Sequence, residues 1–139
     1  MSVRVRILPD KNLVHVRYSG VVGIGESFES FRSYAAHPLA RPGQRFLIDL
    51  SQATGIEEDI PGLMAFQAEM ACTFMAGIAP SFILYFAPTP ATYAIARMAQ
   101  RSWDGMEKPA VVIQQDEAQA FSLLGLPEVR LSDLVGTLA

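Results

Sequence analysis

A chain of 139 residues, half of them apolar, can bury one real core and is too short for two ordinary domains. A net charge of −3, with charged residues at 18% and no lysine or arginine block, leaves no basic field for nucleic acid. The single cysteine, Cys72, excludes an internal disulfide, and no secretory leader or bilayer-length apolar run is present, which predicts a cytoplasmic protein without a transmembrane segment.

Val3, Val5 and Ile7 alternate with Arg4 and Arg6, and Leu13 to Tyr18 alternates again after the turn Pro9-Asp10-Lys11-Asn12. This pattern predicts two half-buried antiparallel strands. Gly23 and Gly25 lead into a helix bearing Phe28, Phe31 and Ala35, which His37-Pro38 stops. Phe46 to Leu50, Phe82 to Phe86 and Ala110 to Ile113 are short apolar runs, each followed by a helical segment, as in parallel strands covered on both faces. Thr89-Pro90, and Asp116 with Gln119, mark helix starts, and Gly125 with Pro127 closes the last helix. The expected order is β-β-α-β-α-β-α-β-α. It predicts an α/β fold with a single mixed sheet opened by an antiparallel hairpin, in one domain with its core at 3–126 and a tail or short helix at 127–139.

The chain offers little obvious chemistry. Gly23-Ile24-Gly25 lacks the third glycine of a dinucleotide loop, because Phe28 stands in its place, and it reads as a plain turn. His15 and His37 lie in no motif that pairs a base with a nucleophile, and Cys72 reads as a packing residue in a helix. Glu57, Glu58 and Asp59 are adjacent, whereas calcium loops alternate their ligands, so Asp59 as a helix cap is the better reading. No catalytic residue, metal site or cofactor is expected.

The helix after Asp59 is the unusual element. Ile60, Leu63, Met64, Phe66, Met70, Phe74 and Met75 spread over roughly 200° of arc, twice the stripe that a surface helix needs. It must be covered on two sides, by the sheet and a neighbouring helix or by a partner or apolar ligand. Gln67 lies within the arc, where an amide requires partners, and a satisfied core glutamine is a better reading than a ligand contact. In the next helix Ile95, Met98, Ala99, Trp103 and Met106 face one way, and Arg97, Arg101 and Asp104 face the other.

A short β-α domain with a strand ending Ile48-Asp49-Leu50-Ser51 before a loop and an apolar helix resembles the STAS domain, the fold of the bacterial sporulation anti-sigma-factor antagonists. In that family an Asp-Ser-Ser-Gly sequence opens the next helix and carries a serine phosphorylated by a partner kinase. Here the matching start is Asp59-Ile60-Pro61-Gly62-Leu63, without either serine, and Ser51 and Thr54 are the nearest hydroxyls. The resemblance implies a stand-alone STAS-like member that lacks the phosphoacceptor.

The resulting expectation is a non-enzymatic interaction or regulatory module that self-associates as a homodimer or meets a protein partner. Its candidate contacts are Asp49, Ser51, Thr54, Asp59, Gln67, Met70 and Phe74. The alternative is a carrier or sensor of a small apolar ligand such as a lipid, held between the methionine-rich helices and the sheet with Gln67, Tyr85 and Tyr93 as polar anchors.

Overall fold

The computed structural model describes residues 2–75, 82–101, 103, 110–127 and 131. Strand β1 (Ser2–Leu8) turns through a short 3-10 segment (Pro9–Lys11) into β2 (Leu13–Val22). There follow α1 (Ile24–Ala35), β3 (Arg45–Ile56), α2 (Ile60–Met75), β4 (Phe82–Phe86), α3 (Pro90–Arg101), β5 (Ala110–Gln114) and α4 (Glu117–Leu124). The order and types of the elements are those expected from the sequence. Asn12 makes the hairpin turn possible by taking a left-handed backbone (φ 51°), a conformation asparagine tolerates better than most residues.

The sheet holds its five strands in sequence order, and only β1–β2 is antiparallel. Val16, Ile48, Tyr85 and Ile113 stand in one row across it. Crossovers of the usual right-handed kind, stepping always in one direction, would stack their helices on one face. Phe31 and Tyr34 of α1, Met70 of α2 and Ile95 and Ala96 of α3 do pack with Val16, Phe46 and Ile83 on that face. The other face carries Leu13, Leu47 and Leu84 under Ala120, Phe121 and Leu124 of α4.

The local chemistry of the helix ends matches the expected caps. Asp59 accepts a bond from the Gly62 amide at 2.9 Å, and a β-carbon on Gly62 would fall 2.2 Å from that carboxylate, so the cap as built requires glycine there. Thr89 Oγ1 accepts from the Thr92 amide, and Asp116 from that of Ala118. Arg45 donates to the carbonyls of Leu124 and Lys11, tying the end of α4 to the hairpin turn.

Two expectations are corrected. The apolar run at Phe46 to Leu50 does not end β3, which continues through the supposed turn to Ile56 and pairs with β2 out to Val22. Two register shifts make this possible, after Arg17 and after Gly20, and at each β3 carries one residue more than β2. Cys72 is exposed instead of packed. Phe74, Met106, Asp104 and the tail apart from Pro127 and Leu131 fall where side chains or backbone lie outside the described residues.

Helix α2 meets its need for cover unequally. Phe66 packs tilted against Phe28 and edge-on against Phe31 of α1, with ring centroids 4.9 and 6.1 Å apart, and Arg32 reaches Glu69 at 3.0 Å. Among the described residues α2 packs most extensively on α1, and Met70 joins it to the core over the sheet. Met70 is buried, whereas Met64 is 67% exposed.

Candidate functional site

The space between α2 and the sheet is a cavity of about 100 Å³. Ile48 and Val16 form its floor, Leu63, Phe66, Gln67 and Met70 its roof, and Phe31 and Trp103 its sides. Ile48 sits in the middle strand and still keeps accessible surface, because it faces this hollow instead of a packed side chain. No charged side chain lines the space among the described residues.

A few polar atoms punctuate the apolar wall. Tyr18 Oη lies 2.9 Å from Ser27 Oγ, which donates to the Gly23 carbonyl at 2.9 Å. Trp103 Nε1 donates to Tyr85 Oη at 3.3 Å. Burial raises the pKa of both phenols, so both are neutral at any ordinary pH. Tyr34, also at the wall, gives its proton to Gln44 Oε1, and burial lifts its pKa to about 12. The Oε1 of Gln67 is sealed from solvent and has no hydrogen-bond partner among the described residues, so the expected satisfied core glutamine is not what they show.

The opposite face carries a second polar cluster. Asp49 is fully buried, its Oδ2 accepting from Arg17 Nε at 3.1 Å and its Oδ1 from the Ser51 amide at 2.9 Å. His15 Nε2 lies 4.0 Å from Asp49 Oδ2, beyond hydrogen-bond reach. Loss of hydration lowers the His15 pKa below 6.5, against the pull of Asp49 and with help from Arg17 and Arg6. Neutral buried histidine thus opposes acid. The unfolded chain binds the proton more readily than the folded one, so stability is full above about pH 6.5 and falls as the pH drops below it. Urea midpoints measured from pH 7.5 down to 5 should decline, and His15→Leu should flatten that decline; an unchanged slope would show that His15 does not carry it.

Sequence reasoning placed two of its candidates at the cavity, Gln67 and Met70. Tyr85 also lines it, whereas Tyr93 is exposed elsewhere on α3. Asp49 and Ser51 belong to the other face, Thr54 is an exposed residue of β3, Asp59 caps α2, and the Phe74 side chain lies outside the described residues. Reasoning from sequence missed Tyr18, Ile48 and Trp103. The alternation of β2 put Tyr18 on the same face as Val16, the one signal available for it.

No helix of the described residues is long and apolar enough to cross a membrane. No protein-family model and no curated protein matches the sequence. Among solved structures, the chain is similar to an uncharacterized protein of the DUF3478 family with a SpoIIAA-like fold from Shewanella loihica PV-4. The two are 13% identical, the match covers 88% of this chain and 92% of that one, and the TM-score is 0.52. The likeness is one of architecture, and with the sheet order and helix placement above it gives this chain a SpoIIAA-like, that is STAS-like, α/β fold.

Proposed function

We propose that this chain is a non-enzymatic, cytoplasmic regulatory module of STAS-like fold whose state is set by a small apolar molecule taken up beneath α2. The observation that carries this reading is the apolar hollow between α2 and the sheet. An apolar helix face looks across a hollow at an accessible Ile48, and close-packed interiors do not leave such gaps without cost. A ligand filling it would bind α2 to the sheet, and its departure would loosen the helix that opens at the family's switch position. Native mass spectrometry of freshly purified protein should show a retained small mass, absent in Ile48→Phe, where the ring fills the floor. Bare chain in every preparation of the unaltered protein would sink the reading.

A specific feature also favours self-association. Pro61, Met64, Ala65, Ala68 and Cys72 are exposed along one side of α2, an uncharged stripe at helical spacing suited to a second copy of the same helix. Sedimentation should show a concentration-dependent dimer that Ala68→Glu dissociates. A strict monomer at all concentrations would remove self-association and leave the cavity reading untouched.

A further inference from the structure

Resting on the reading of the cavity as a binding site, we infer that its ligand is a short, neutral, apolar molecule bearing one hydroxyl group, held between the Tyr85 hydroxyl as donor and the Tyr18 oxygen as acceptor. The two phenols stand on either side of the floor. Tyr85 is level with Ile48 on one neighbouring strand, and Tyr18 follows Val16, level with Ile48 on the other, by two residues and so points to the same face. They lie close enough that a charge on Tyr18 would push the Tyr85 pKa up further.

Proton counting fixes what each can offer. Serine has one hydroxyl proton, and that of Ser27 goes to the Gly23 carbonyl. The contact between Tyr18 and Ser27 is therefore donated by Tyr18, whose oxygen remains free to accept. Indole nitrogen only donates, so Tyr85 accepts from Trp103, and the Tyr85 proton has no acceptor among the described residues. One wall thus lacks an acceptor and the other can take a donor. A hydroxyl group supplies both at once. An ether or ketone could satisfy Tyr85 alone, and an alkane neither.

Charge and size narrow the class further. With no cation on the lining among the described residues, a carboxylate or phosphate placed here would be buried unpaired, which argues against an ionised head group at this position. A hollow of ~150 Å³ lined by apolar side chains admits benzene, so a space of about 100 Å³ takes a short alkyl chain or part of a small ring.

The chain contains one tryptophan, Trp103, which lines the cavity and bonds Tyr85, so its emission reports occupancy directly. The full-length protein would be titrated with n-hexanol, with a methyl ether of equal chain length, and with hexanoate at pH 8. Saturable binding of n-hexanol, on the order of tenfold tighter than the ether, is expected, with no saturable response to hexanoate. Tyr18→Phe should reduce n-hexanol to the level of the ether, and Tyr85→Phe should weaken both. Equal binding of alcohol and ether, or preferred binding of hexanoate, overturns the hydroxyl assignment while leaving the cavity as a binding site. A response to none of the three also overturns it; a retained mass in the native spectrum would then show that the site is real and its ligand of another class.

Discussion

Replacing Phe121 with alanine should lower the free energy of unfolding by about 4 kcal/mol, seen as a shift of the urea midpoint at constant slope. Phe121 is 1% exposed, and with Ala120 and Leu124 it makes the buried face of the eight-residue α4 that covers Leu13, Leu47 and Leu84. Those leucines are fixed in neighbouring strands and cannot collapse into the hole, which puts the cost toward the upper end for a lost aromatic. Phe66→Ala on α2 should cost only about 2 kcal/mol, because that ring is partly exposed and already borders a hollow. The contrast is the informative part. Equal losses would mean that the two faces of the sheet are packed alike, and the cavity would then be no weaker than the core.

Arg17→Met should destabilise the protein by about 3 kcal/mol. Asp49 has no exposed surface, and removing its guanidinium partner leaves a carboxylate buried beside His15 and the Ser51 amide alone. The figure is the low end of the range for breaking a buried pair, since 35% of the Arg17 side chain already meets water. Asp49→Asn should cost only about 1 kcal/mol, because it removes the charge and keeps an acceptor for Ser51. The pH dependence should change with it. Without Arg17 the His15 pKa is pressed down less, while burial, the largest cause, still holds it below 6.5, so the loss of stability toward acid should become shallower without changing sign. A loss under about 1 kcal/mol with the original slope would mark the pair as an ordinary surface one.

Elements whose cause is local were legible in the sequence. The apolar runs of β3, β4 and β5 announced strands covered on both faces, and Asp59, Thr89 and Asp116 announced helix starts, because a cap acts within three residues of itself. The second half of β3 was not legible. Ser51 to Thr54 reads as polar turn, and what holds it extended is pairing with the end of β2 across two bulges, a partnership the local sequence does not encode. The burial of Asp49 was hidden for the same reason, since it depends on the register that sets Arg17 opposite. For the site, the breadth of the apolar arc of α2 and the presence of Gln67 within it did point inward. Nothing in the chain distinguished Tyr18 or Trp103 from aromatic residues that merely fill space; only their meeting around Ile48 does so.

The simple order of the strands bears on how the chain can be made. Each strand after the first pairs with the one synthesised just before it, so the sheet can grow at a single edge as the polypeptide lengthens. No strand has to wedge between two that are already joined, and β1 and β2 can close early through a turn of a few residues. The assembly that must wait is the far face, where Leu13, laid down near the beginning, is covered only when α4 arrives near the end. Until then a row of leucines stands open to water, and that interval is when a nascent copy is most prone to stick to another.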